Sequence, residues 1–181
     1  MKGSLHRECG CYASGHPQYR ENAIAMTSDA SAPEDSPSPV SIFLSYTRQD
    51  RARAEQVIQA LQQAGCKVWW DGLLDSGVAF ATTTEDELES ADAVVVLWSQ
   101  ASVASHWVLD EATRGRERGR LVPVSLDGAM APLGFRQYQI LDLSKWRGSA
   151  TSAEMTNLLR AVMVVAGQEG VPARVAPLLT T

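Results

Sequence analysis

The sequence predicts an α/β domain, with a five-stranded parallel sheet of order 2-1-3-4-5 covered by helices on both faces. Two observations carry this expectation. From Val40 onward, short apolar runs alternate with amphipathic stretches of helical length. One of those runs, Ala93–Trp98, is apolar at every position, as a strand covered on both sides must be. With 181 residues, 45% of them apolar, the chain has material for one ordinary core and little for a second.

The first strand is read at Val40–Ser45. A helix follows over about Asp50–Ala64, where Ala54, Val57, Ile58 and Leu61 recur at helical spacing and Gly65 supplies the stop. Arg53, Gln56, Gln59 and Gln62 make up its polar face. The second strand is Cys66–Trp70, and Gly72 and Gly77 mark the following segment, Asp71–Ala79, as a flexible loop. Thr82, Thr83 and Thr84 offer N-caps, and Glu85, Asp86 and Glu87 an acidic first turn, for a helix reaching about Ser90. The third strand, Ala93–Trp98, leads through a small polar loop, Ser99–Ser105, into a helix over His106–Arg118. Strands at Leu121–Leu126 and Gln139–Leu143 follow, and a helix over Ser152–Ala166 closes the domain with Leu158, Leu159, Val162 and Val165 inward. The result is a flavodoxin-like three-layer sandwich, whose ligands bind beyond the carboxyl ends of strands 1 and 3, where the winding reverses.

Composition narrows the function. A formal charge of -5 removes the electrostatic footprint of a sequence-independent nucleic-acid binder. The one basic run, Arg114, Arg116, Arg118 and Arg120, is interrupted by Gly115, Glu117 and Gly119 and reads as the solvated end of a helix. Cys9, Cys11 and Cys66 lack zinc-ligand spacing, so no metal site is expected, and Cys66, inside an apolar segment, reads as a small buried hydrophobe. No apolar run approaches the ~20 residues a membrane helix needs, and a cytoplasmic location is expected. Residues 1–39 read as a disordered leader, with Met26 as an alternative start, and residues 167–181 as a flexible tail.

Several stretches, in order, carry a family resemblance: Ser41–Asp50 (SIFLSYTRQD), Gly65–Asp71 (GCKVWWD), Ala91–Ser99 (ADAVVVLWS), Ser102–Glu111 (SVASHWVLDE), Leu121–Val124 (LVPV) and Pro132–Phe135 (PLGF). Together they resemble the Toll/interleukin-1 receptor (TIR) domain over roughly Val40–Ala166, in a bacterial style, because the loop after strand 2 lacks proline. The family holds both NAD+-cleaving enzymes and non-enzymatic interaction modules.

For an enzyme, the resemblance implies Glu111 as the catalytic carboxylate, four residues after Trp107 and so on the same helix face. Asp110 points about 100° away. Tyr46, Thr47 and Arg48 follow strand 1 at the lip of the crevice, Ser99 arrives from strand 3, and Phe80 ends the loop that covers the nucleotide in the family. A flat Trp107 serves either as a wall for the nicotinamide and ribose or as core packing. Trp69, Trp70 and Trp98 read as mostly core. NAD+ is then a substrate, with no resident cofactor or metal.

The resemblance also implies self-association through TIR–TIR contacts, another TIR-containing or effector protein as a further partner, and a place in signalling or anti-phage defence. A phosphoacceptor receiver domain would need adjacent acids after strand 1, where Ser45 and Tyr46 stand instead. A nucleoside-deoxyribosyltransferase-like enzyme would share fold and chemistry but matches the motifs less well.

Overall fold

The computed structural model describes residues 38–70 and 80–168. The readings made for the leader up to residue 37, the loop 71–79 and the tail from residue 169 fall outside that description. Strands β1 (Ser41–Ser45), β2 (Lys67–Trp69), β3 (Ala93–Trp98), β4 (Leu121–Ser125) and β5 (Leu141–Asp142) alternate with helices α1 (Arg51–Gln63), α2 (Phe80–Ser90), α3 (His106–Glu117) and α4 (Ala153–Val165). All strand pairs are parallel, in the order β2-β1-β3-β4-β5.

Strand alternation divides the core in two. Ile42, Leu44, Val95, Leu97, Val122 and Val124 face one side, where they pack with Val57, Ile58 and Leu61 of α1 and Leu158, Leu159 and Val162 of α4. Phe43, Val94, Val96 and Trp98 face the other side, against Leu88 of α2 and Val108 and Ala112 of α3. Every residue of β3 is fully buried, in keeping with its unbroken apolar run. Cys66 packs in the first layer, and burial pushes its thiol up to about 11, so it stays protonated at neutral pH.

Three elements differ from expectation for identifiable reasons. Helix α2 starts at Phe80, ahead of the three threonines read as caps. Thr84 and Leu88, one turn apart, are both buried, so Thr84 belongs to the inner face of the helix body. The last strand shrinks to Leu141–Asp142 because turns closed by Phe135 N–H to Pro132 O and Tyr138 N–H to Phe135 O hold the preceding chain off the sheet. Those turns are anchored where Phe135 packs on Trp98, with ring centroids 5.3 Å apart. Val165, expected inside, is only partly buried, while Met155 and Met163 complete the inner face of α4.

The arginines also do more than solvate helix ends. Arg53 leaves the polar face of α1 to donate to the carbonyl of Leu143 at 2.9 Å, at the carboxyl end of β5. Arg114 forms a two-pronged ion pair with Glu89, tying α3 to α2. Arg118 and Arg120 donate to the carbonyls of Leu88 and Ala91, and Arg116 donates to Gly134 O at 3.1 Å while lying over the Phe135 ring. The basic run is thus a set of fasteners between α3, the end of α2 and the turn after β4.

Candidate active site

The sheet order places a reversal of winding between β1 and β3, and a cleft of about 450 Å³ opens at their carboxyl ends. Its floor is Phe43, Leu44 and Ser45 of β1 with Trp69 of β2. Phe43 and Trp69 stack with centroids 4.9 Å apart and planes 16° from parallel, making a flat apolar base. Thr84 of α2 forms one side, Ser105, Trp107 and Glu111 form the opposite wall, and Tyr46, Thr47, Arg48 and Gln49 form the rim.

The wall follows from how α3 begins and how it packs. Ser105 is the N-cap, its hydroxyl accepting from Val108 N–H at 3.4 Å. From the first turn onward, the face toward the sheet carries Val108, Ala112 and Gly115. A Cβ on Gly115 would stand 2.9 Å from Cβ of Val94, closer than side chains approach, so the glycine lets α3 lie directly on β3. Close seating draws Glu111 inward to 7% exposure, whereas Asp110, one position round the helix, is exposed.

Trp107 is 50% exposed and lines the cleft one turn before Glu111, so of the two roles open to it core packing does not hold.

On the rim, Thr47 caps the short 3-10 turn Arg48–Asp50, its hydroxyl accepting from Gln49 N–H at 3.2 Å. Tyr46 leans on Trp70, with centroids 6.4 Å apart, and Arg48 is exposed. Ser99 is not in the lining. It is buried, its hydroxyl donates to Asp50 at 2.6 Å and accepts from Ser102 N–H at 3.0 Å, and its own N–H donates to Ser102 Oγ at 2.7 Å. These bonds make Ser99 a fastener between the ends of β3 and the turn after β1, behind the cleft. The backbone of Phe80 opens α2, while its side chain lies outside the described residues.

Sequence reasoning overlooked seven lining residues, Phe43, Leu44, Ser45, Gln49, Trp69, Thr84 and Ser105. Trp69 was assigned to the core, which it also joins. Ser105 was read as the end of the small polar loop before the helix. Thr84 was read as a cap. Ser45 passed as a strand end, although a polar residue closing an apolar strand at a winding reversal is itself a signal; its hydroxyl is buried without a hydrogen-bond partner among the described residues.

The family model for the TIR domain matches residues 42–159, a span containing every lining residue of the cleft. The chain belongs to the TIR domain family. Among solved structures, this TIR domain resembles the metazoan TIR-STING receptor from C. gigas in complex with 2',3'-cGAMP, with a TM-score of 0.54 and 18% sequence identity. That match covers 70% of this chain and 39% of the receptor chain, so the TIR domain corresponds to well under half of it, and the likeness concerns the fold. No curated protein matches the chain. Among the described residues of the TIR domain, no helix is long and apolar enough to cross a membrane, and no three His, Cys, Asp or Glu side chains gather as a metal site would require.

Proposed function

We propose that this TIR domain cleaves NAD+ at the bond between nicotinamide and ribose, with Glu111 as the catalytic carboxylate. The observation that carries the reading is a buried carboxylate one helical turn from an exposed tryptophan, both lining a cleft at the winding reversal. One carboxylate suffices for this chemistry, unlike ordinary glycoside hydrolysis with its pair. The nicotinamide of NAD+ is already cationic, so when its bond to C1′ breaks the electron pair returns to the ring nitrogen and the base leaves neutral without an acid. Positive charge then develops on the ribose, and a fixed anion in a water-poor cleft stabilises that charge more than it stabilises the substrate. Water adds at C1′ and releases a proton, giving ADP-ribose; capture by an adenine nitrogen gives the cyclic product. Arg48 at the exposed rim is suited to the pyrophosphate.

The test is incubation of purified protein with NAD+, resolving nicotinamide and ADP-ribose products. Glu111→Gln keeps the shape and removes the charge, so turnover falls by on the order of a hundredfold or more with folding retained, while Asp110→Asn changes little. Equal losses from both substitutions, or full turnover by Glu111→Gln, would sink the assignment.

A second reading, a TIR–TIR interaction module, is favoured by Met130 and Leu133, which expose 68% and 82% of their surface in the turn after β4. The two readings are compatible, since a neighbouring copy that covers the cleft would also exclude water from it. A cytoplasmic setting in signalling or anti-phage defence, with a further TIR-containing or effector partner, rests on family analogy.

A further inference from the structure

We infer that Ser45 hydrogen-bonds the carboxamide of the nicotinamide ring at the floor of the cleft and so selects that ring; this rests on the NAD+ reading above. Ser45 is 2% exposed, lines the cleft, and its Oγ has no hydrogen-bond partner among the described residues. A buried hydroxyl left unsatisfied destabilises a fold, and such a group in a cleft wall is explained when a ligand supplies the missing partner.

The cleft grades from dry to wet in a way that orients the dinucleotide. Its floor is the stacked pair Phe43 and Trp69, both buried, and its rim carries the exposed Arg48. A flat aromatic ring belongs against that floor and a pyrophosphate at that rim, with Glu111 on the wall to meet the ribose between them. The ring that enters carries one polar substituent, a carboxamide that both donates and accepts, and the Ser45 hydroxyl does the same. A pocket that buries a hydrogen-bonding group discriminates against rings that leave it unpaired.

The experiment compares the full chain with Ser45→Ala in three measurements: melting temperature without ligand, steady-state NAD+ cleavage, and inhibition of that cleavage by nicotinamide and by 3-methylpyridine, which lacks the carboxamide. Because the hydroxyl has no partner among the described residues, the melting temperature of Ser45→Ala stays equal or rises. KM for NAD+ rises about tenfold and kcat stays within about threefold, as for a contact made equally in ground and transition states. The wild type prefers nicotinamide over 3-methylpyridine and the variant loses that preference. A melting temperature lowered by several degrees would show that the hydroxyl is structural and overturn the inference, as would an unchanged KM or a retained preference. If the wild type itself leaves NAD+ intact, the functional reading falls and takes this contact with it; if the wild type cleaves NAD+ and Ser45→Ala matches it, only the contact falls.

Discussion

Glu111 and Asp110 are adjacent carboxylates with opposite fates, one buried in the cleft wall and one in solvent, and a helix phase of about 100° per residue separates them. That distinction was legible in the sequence, because the spacing from Trp107 fixes which of the two shares its face. The residue that makes it effective was not. Gly115 was read as an interruption of a basic run, yet its missing side chain is what admits Val94 beneath the helix. A Cβ at this position gains roughly 1 kcal/mol of helix propensity over glycine but must clear a 2.9 Å contact, and overpacking of that kind costs roughly 1–3 kcal/mol, more for a branched side chain. Gly115→Val is therefore expected to lower the unfolding free energy by an amount in that range, read as a lower chemical-denaturation midpoint, and to reduce NAD+ turnover by lifting Glu111 out of the wall. Unchanged stability and turnover would show that α3 has slack against β3. Ser99 is the reverse case: its position after a central strand suggested a ligand contact, and only the tertiary structure reveals Asp50 and Ser102 occupying its hydrogen bonds.

Between elements, periodicity located α1, β3, α3 and α4 to within a residue or two, because each has a long run or an unambiguous apolar face. Helix α2 was misplaced at its start, since a run of threonines satisfies cap preferences whether or not it caps anything. What fixes α2 is long-range and has no local signature. Glu89 receives Arg114 and also faces Arg118, and α2 in turn brings Thr84 to the cleft. The hydrogen bond from Arg114 holds the Glu89 carboxyl below its ordinary value of 4.5. A depressed folded-state pKa means that the contribution is complete above about 4.5 and is lost as pH falls through the lower folded value. Wild type should thus melt slightly above Glu89→Gln at neutral pH, and the gap should close in acid below that range. The pair is exposed, so the gap is small and high salt should diminish it. Melting curves for both proteins across pH and salt check this, and a gap that widens in acid contradicts it.

At the scale of the whole molecule, sheet order and both covered faces were legible because a parallel α/β chain has few ways to wind. The floor of the cleft was not legible, because Phe43, Ser45 and Trp69 come from two strands that become neighbours only through pairing, Phe43 with Trp69 in register. On the proposed reading a second copy completes the cleft. Rate per subunit should accordingly rise with protein concentration, and a flat dilution series from a particle that light scattering reports as monomeric would mean that one chain carries a complete site. Trp107 gives such experiments an internal signal. Of the five tryptophans, Trp69, Trp98 and Trp146 are buried and Trp70 is partly covered, leaving Trp107 alone exposed, at the mouth of the cleft. An indole half in water is expected to emit at the red edge of the protein's fluorescence, so a nucleotide or a neighbouring subunit that covers it should change the intrinsic emission of the chain, and occupancy of the cleft becomes visible without a label or a chemical step.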